Sequence, residues 1–405
     1  MKDWFEKDAR DPRRADAAWL AVALRSSRED TLHTFTALER SLAEFTVPQQ
    51  ETLNPPLWEL GHIGWFQEFW IGRNPLRFVG AAADPDVARL PGVRPRCDAL
   101  YDSSKVAHDT RWSLPLPDAD ATRADLAEQL EGTLAWLREA RGGDAALYFF
   151  RLALFHEDMH HEAALYMAQS LGVAIDNPRW QPAALPDGDG RQLSFDAGPW
   201  LLGNTGPGFA FDNELAAHRV ELPATSIDSR VTRWAEFLPF VEAGGYAQPQ
   251  WWDEEGAAWI AAEHPQAPRY LRQDGATWQQ WRHGRWRALD LRLPACHLTA
   301  HEANAWCRWA GRRLPTEAEW ERAAIERPRD FAWGQVWEWT ASPFLPYPGF
   351  EPHPYRDYSA PWFGTRRVLR GASFMTQPRM RHPRYRNFFM AQRNDIPAGF
   401  RSCAL

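Results

Sequence analysis

The sequence predicts an α domain followed by an α+β domain, and three observations predict it. Apolar residues recur at helical spacing through most of the first half; beyond residue 190 the pattern changes to short extended runs split by Gly, Pro and Asn; and the charge balance changes at the same place. Residues 1–190 carry 20 Lys and Arg against 30 Asp and Glu, whereas residues 191–405 carry 26 against 23. Such asymmetry between halves marks separate domains.

The helical half comes first. From Ala15 to Leu42, Trp19, Leu20, Val22 and Leu24, then Leu32, Phe35, Leu38 and Leu42, recur at helical spacing, with an interruption expected near Ser26 and Ser27. A second helix is predicted over Leu57–Ile71, because the prolines of Asn54-Pro55-Pro56 suit a first turn. A third, Arg123–Arg141, stops at Gly142-Gly143, and a fourth, Ala145–Leu171, stops at Gly172. Four amphipathic helices with a long connection between the second and third read as a four-helix bundle. That connection, residues 73–120, is rich in Pro and Asp, and loops of such length are commonly functional or carry short elements of their own. Pro186-Asp187-Gly188-Asp189-Gly190 reads as a linker and divides the chain into domains 1–185 and 191–405. Beyond it, extended runs at Pro199–Leu202, Arg219–Leu222 and Val368–Leu369 accompany predicted helices at Arg233–Ala243 and Ala300–Ala310, and no internal repeat is visible.

Composition excludes several classes. With 23 Trp, 22 Phe and 9 Tyr the chain is too apolar to be disordered, and no apolar run approaches the roughly 20 residues of a membrane span. The opening Met1-Lys2-Asp3-Trp4 has no secretory character, so a cytoplasmic location is expected. Cys97, Cys296, Cys307 and Cys403 are scattered without CxxC spacing, as befits reduced thiols. Arginines crowd the C-terminal tail, but they alternate with Phe, Tyr, Gly and Pro in a chain of net charge −7, so no nucleic-acid partner is expected.

The densest chemistry lies in Phe155-His156-Glu157-Asp158-Met159-His160-His161-Glu162. His156 and His160 are four apart, so on a helix their imidazoles project from one face, as two neighbouring metal positions require. His62, in Trp58-Glu59-Leu60-Gly61-His62-Ile63-Gly64-Trp65, sits among apolar residues on the core-facing side of the second helix, where bundles assemble metal sites. Its alternative role is that of a buried histidine bonded to a carbonyl. Three neutral imidazoles leave coordination positions open, which fits a zinc-bound water or a ferrous ion; histidine count does not choose between them. Glu162 is either an acceptor behind the metal ligands or a solvated carboxylate.

Four segments of the second half carry a resemblance: Phe209-Ala210-Phe211-Asp212-Asn213-Glu214, Cys307 to Glu321, Val336-Trp337-Glu338-Trp339-Thr340 and Leu369-Arg370-Gly371-Ala372-Ser373-Phe374. Together they closely resemble the formylglycine-generating, or sulfatase-modifying factor, domain, a C-type-lectin-like fold. The formylglycine-generating enzyme uses a C-terminal cysteine pair, and only Cys403 is present here, which argues against that activity. A DinB-like bundle bearing His62 and the His156, His160, Glu162 pattern, fused to such a domain, resembles the ergothioneine synthase family of non-haem iron sulfoxide synthases. The resemblance implies Fe(II) held by His62, His156 and His160, with hercynine, a chalcogen donor and dioxygen as substrates. It implies that Tyr385-Arg386-Asn387-Phe388-Phe389 lines the site, with Tyr385, Arg386, Asn387 and Phe389 as substrate contacts. It makes Tyr347 a candidate proton donor, with Phe344 as the other possible counterpart. The trimethylammonium of hercynine needs aromatic faces or a carboxylate, and Trp337, Trp339, Tyr385, Phe388 and Phe389 are the pool.

Departures from the family pattern bear on the donor. Where the mycobacterial-type enzymes carry paired arginines for γ-glutamylcysteine, this chain retains Arg111 and has His108 in place of the other, and an imidazole does not replace a bidentate guanidinium toward a carboxylate. Met159 replaces a glutamine common in that branch. The combination resembles the selenoneine synthase branch, whose donor is a selenosugar, in preference to an ergothioneine-type enzyme using γ-glutamylcysteine or cysteine. A DinB-like zinc-dependent thiol transferase, and a non-catalytic binding module on a degenerate bundle, are the remaining alternatives.

Overall fold

A computed structural model describes residues 11–185 and 190–405; residues 186–189 of the expected linker and the chain's opening residues lie outside the described residues. The first half is a bundle of α1 (Ala17–Ser41), α2 (Pro56–Gln67), α4 (Ala119–Glu139) and α5 (Asp144–Leu171), with short α3 (Cys97–Tyr101) in the long connection. Helix α1 starts at Asp16, whose carboxylate accepts the Trp19 N–H. It does not break at Ser26 and Ser27. Ser27 is fully buried and donates to Asp158, and Arg28 next to it pairs with Glu157, so one of the two serines that read as an interruption is a contact to α5. Helix α2 begins at the expected prolines and continues through one wide π turn, Glu68–Gly72.

Helix α5 is the centre of the molecule. It packs on α1 and α2, and its far side faces the second domain. Beside Glu157 and Asp158, His161 Nε2 meets the Thr34 hydroxyl at 3.0 Å, so three polar contacts to α1 within little more than one turn fix the rotation of α5 about its own axis. The Arg379 guanidinium of the second domain reaches the same Asp158 through both carboxylate oxygens, at 2.6 and 2.7 Å.

The second domain combines four small sheets with four helices. Strands β1 (Gln192–Phe195), β4 (Thr225–Asp228), β13 (Cys403–Ala404) and β8 (Arg312–Arg313) form one sheet in that order, and β2 (Gly198–Leu202) pairs with β3 (His218–Leu222). A third sheet runs β11 (Asn387–Phe389), β10 (Arg367–Gly371), β9 (Trp337–Pro343) and β12 (Ala398–Gly399), with only the β12–β9 pairing parallel. Strands β5 (Leu271–Asp274), β6 (Thr277–Arg282) and β7 (Arg285–Ala288) form a meander. The helices are α6 (Trp234–Glu242), α7 (Glu254–Glu263), α8 (Ala300–Trp309) and α9 (Glu317–Glu326). Both α8 and α9 open on reciprocal capping boxes, Thr299 with Glu302 and Thr316 with Glu319. The fold class read from the sequence is the observed one; α7, α9 and the meander are additions to it.

One apolar core runs through both halves, joining Trp19, Trp58 and Phe149 to Phe209, Trp337 and Phe400. Two further ties reinforce it. Arg13 forms a buried ion pair with Glu214 ahead of α1. The β6–β7 turn caps the C-terminus of α5, where the Gln169 amide donates to Trp281 O, the His283 N–H donates to Gln169 Oε1 and the His283 ring meets Val173 O at 3.1 Å. A Cβ on Gly284 would lie 2.4 Å from Gly172 O, so this docking requires glycine. The arginine-rich tail is largely internal: Arg370 pairs with Glu321, Arg386 with Glu317 and Arg401 with Glu338, all buried. Among the described residues no helix is long and apolar enough to cross a membrane.

His297, between β7 and α8, adopts a left-handed φ of 63° and stands edge-on to Tyr270. Burial lowers its pKa to about 4, against the opposing pull of Asp395. Because the folded value lies below the unfolded one, its contribution to stability is present above the unfolded pKa and is lost as pH falls through the folded one. His297→Asn, which tolerates the same φ, removes this dependence. The stability difference between wild type and variant therefore moves against wild type by about 2 kcal/mol between pH 7.5 and pH 5 in urea unfolding; a pH-independent difference would contradict the assignment.

Candidate metal centre and its cavity

Helices α2 and α5 bring His62, His156 and His160 together, with one nitrogen from each lying within 4.8 Å of the others. Their ring centroids are separated by 5.1 Å (His62–His156), 4.8 Å (His62–His160) and 4.4 Å (His156–His160). Tautomers follow from the partners. His62 Nδ1–H donates to Tyr101 O at 2.8 Å, leaving Nε2 as the free lone pair. That contact depends on Gly61, where a Cβ would lie 2.2 Å from the Tyr101 ring. His160 Nδ1–H donates to the Glu59 carboxylate, again leaving Nε2 free. His156 stacks on Phe66 with centroids 3.5 Å apart and planes 4° from parallel, and neither of its nitrogens has a hydrogen-bond partner.

A buried, unpartnered polar atom costs about 1–3 kcal/mol, so His156 is the observation that tests whether a metal fits. Burial, reinforced by His160, lowers the His62 pKa to about 3 and pushes His156 well below its ordinary value, so both are neutral at physiological pH. Burial would raise Glu59, but His160 beside it holds the carboxyl down at about 2. Two buried neutral imidazoles, and a third whose Nδ1–H is held by a carboxylate so that Nε2 is free, make the donor set of a divalent-cation site, and the three histidines fit it.

A cavity of about 260 Å³ opens beside His160. Glu59 and, on α5, Met159, Glu162 and Tyr166 form one wall; Trp337, Met380, Tyr385, Asn387 and Phe389 form the other. Glu162 is buried, and its Oε1 accepts from Trp337 Nε1 (2.8 Å), Ser373 Oγ (2.6 Å) and Thr376 Oγ1 (2.9 Å). Burial raises its pKa and these three donors oppose the rise. Tyr385 Oη lies 3.0 Å from Tyr358 Oη and 3.5 Å from the Met159 sulfur. No lysine or arginine is among the wall residues.

Other residues singled out in the sequence lie elsewhere. Tyr347 does not reach this cavity: it packs with Leu202, Leu222 and Ala318, and its hydroxyl donates to Glu317 at 3.1 Å. Arg386 is engaged bidentately by the same Glu317 and stacks over Tyr347, so the expected proton donor and substrate contact form a buried ion-pair cluster instead. Phe344 stacks on Phe388, and Trp339 is a core residue bonded to Leu298 O, which removes Phe388 and Trp339 from the aromatic pool. His108 Nε2 meets Leu53 O at 2.8 Å, and Arg111 Nη1 donates to Asn54 Oδ1 at 2.8 Å; neither lines the cavity. Glu59 was legible, being three residues before His62 and thus on its helix face. Tyr101 contributes through its backbone carbonyl, for which side-chain patterns carry no signal.

Residues 23–167 match the DinB superfamily, and residues 188–335 and 329–404 match the sulfatase-modifying factor enzyme 1-like domain. Hercynine oxygenase of Mycolicibacterium smegmatis is 32% identical, covering 94% of this chain and 97% of that one. Hercynine oxygenase of Mycobacterium tuberculosis is 31% identical, covering 89% and 93%. The formylglycine-generating enzyme of Streptomyces coelicolor is 32% identical over 38% of this chain and 53% of its own. A DinB-type bundle joined to a sulfatase-modifying domain, with such relatives, defines an oxygen-using oxidoreductase. The chain belongs to the hercynine oxygenase family.

If the unpartnered His156 nitrogens await a cation, His156→Phe keeps the stacking on Phe66 and removes them. The metal-free variant is expected to unfold at or above the wild-type temperature, while the rise in Tm on adding Fe(II) anaerobically disappears. An unchanged metal-induced rise would exclude His156 as a ligand.

Proposed function

We propose that this chain is an Fe(II)- and dioxygen-dependent enzyme that joins the selenium of a selenosugar to C2 of the hercynine imidazole. The oxidised product is the precursor of selenoneine. In this reading residues 1–185 form the iron-binding bundle and residues 191–405 complete the substrate pocket. The balanced step couples a selenol and the imidazole C2–H with dioxygen, giving the C–Se bond as a selenoxide and one water. His62, His156 and His160 hold the iron, which when bound supplies the one-electron chemistry that ground-state dioxygen requires.

The remaining work falls to the cavity. Glu162, anchored through Oε1, and the faces of Trp337, Tyr385 and Phe389 receive the trimethylammonium group, which has no N–H to donate. Asn387 offers an amide to the rest of hercynine. Burial raises the phenols of Tyr166 and Tyr385, so both keep a proton at neutral pH and are available to give one up during coupling. Met159, between the two α5 histidines, presents an apolar, polarizable side chain to the donor.

The observation that carries the choice of donor is the wall itself: it holds two carboxylates and no lysine or arginine, which suits the trimethylammonium end of the betaine and a neutral polyol and disfavours a donor that brings two further carboxylates. The family relatives support the sulfur alternative, in which γ-glutamylcysteine or cysteine replaces the selenosugar. An anaerobic Fe(II) reconstitution with hercynine, offered selenosugar, γ-glutamylcysteine and cysteine in parallel and then exposed to oxygen, separates them by product mass. Selenosugar is expected to couple fastest. Coupling of a thiol alone would reassign the donor, and coupling of none would refute the reading. Glu162→Gln retains an acceptor for its three donors and loses the charge, so the hercynine KM should rise about tenfold, the equivalent of 1.4 kcal/mol, with a smaller change for the donor.

A further inference from the structure

We infer that Arg111 is a positioning residue of the histidine centre, acting on two of its members at once, rather than a clamp for a donor carboxylate. The inference rests on the reading of His62, His156 and His160 as metal ligands. Its first route is a chain of hydrogen bonds. Arg111 Nη1 donates to Asn54 Oδ1 at 2.8 Å; the Asn54 amide donates to Glu59 Oε1 at 2.5 Å; and Glu59 Oε2 accepts from His160 Nδ1. Glu59 is only 5% exposed, so its orientation is set by these partners and not by water.

The second route is a stack. The Arg111 guanidinium carbon lies 3.9 Å from the centroid of the Trp58 ring. Trp58 in turn stacks on His62 with centroids 4.8 Å apart and planes 9° from parallel, and its indole N–H is fixed on Leu100 O. The guanidinium thus closes a ring: His160, Glu59, Asn54, Arg111, Trp58, His62. Its geometry explains why arginine stands here. A guanidinium can set its central carbon over an indole face while one of its N–H groups donates to an amide, and lysine does not do both. Arg111 Nη2 faces Val106 O at 3.4 Å, and Nε is buried without a partner. Nothing in this arrangement directs the fork into the cavity, which Arg111 does not line.

Simple electrostatics and positioning predict opposite results. By Coulomb's law alone, deleting a cation near a divalent metal tightens binding. Loss of positioning loosens it, and outer partners of ligating residues typically account for 10–100-fold in affinity. The experiment compares wild type, Arg111→Met, Asn54→Ala and the double variant as full-length proteins. It measures anaerobic Fe(II) affinity by chelator competition, the visible ligand-field spectrum of the Co(II)-loaded protein, and KM for a carboxylate-bearing and a neutral donor.

The expected result is an affinity about tenfold or more weaker and an altered Co(II) spectrum in each single variant. The double variant should be little worse than Arg111→Met alone, which already cuts both routes, whereas Asn54→Ala cuts only the first, and the two donor KM values should keep their ratio. Wild-type affinity and spectrum in Arg111→Met, with KM raised for the carboxylate donor alone, would overturn the inference and make Arg111 the clamp. Tighter metal binding in Arg111→Met would overturn it in favour of simple repulsion. Should Arg111→Met fail to fold, Asn54→Ala alone tests the first route by the same spectrum. If wild type itself binds neither Fe(II) nor Co(II), the reading of the three histidines fails, an outcome distinct from the others.

Discussion

A buried helix that carries polar side chains must find a partner for each, and in this molecule that constraint acts on α5. Arg151, His156, Glu157, Asp158, His161, Glu162 and Gln169 are all buried on it. Arg28, Ser27 and Thr34 of α1 satisfy one side, and Arg379, Ser373, Thr376 and Trp337 of the second domain satisfy the other. Of these buried residues, His156 alone has no hydrogen-bond partner. The two halves of the chain are thus held by the same helix that presents two of the three histidines, and the cavity wall is part of that packing rather than an addition to it.

The parts of this arrangement legible in the sequence are those with a local signature. Helix periodicity located the four bundle helices, and the i, i+4 spacing of His156 and His160 placed them on one face. What failed, failed for physical reasons. Ser26 and Ser27 read as a break because apolar periodicity is blind to polar residues that bury by pairing, as Ser27 does with Asp158. The capping box of Thr316 and Glu319 was present as a T-x-x-E signal, but α9 follows it inside a segment dominated by charged residues. The β5–β7 meander is mostly solvated, so its strands show no clean alternation. The place of Tyr347 and Arg386 was not legible, because sequence neighbours do not reveal which residue a distant carboxylate, here Glu317, will hold.

The tryptophan excess, 23 residues in the chain, resolves the same way. Trp320 donates to Glu338 and Trp339 to Leu298 O, deep in a domain whose sheets are too short to supply a core by themselves. Trp58 and Trp337 are different: the first holds His62, and the second ties Glu162 to the cavity. Aromatic surplus and site are connected, but through those two indoles rather than through the composition as a whole.

The ion pair between Arg13 and Glu214 has a consequence for how the protein comes into being. Chains emerge N-terminus first, and an early domain ordinarily folds while the rest is still being made. Here Arg13 waits for Glu214, Asp158 for Arg379, and Glu162 for Ser373 and Thr376, all of which leave the ribosome later. All three histidines are therefore made before the residues that answer Arg13, Asp158 and Glu162 and before the far wall of the cavity. A chain that stops short of them carries the three histidines without the wall that gives their cavity its shape.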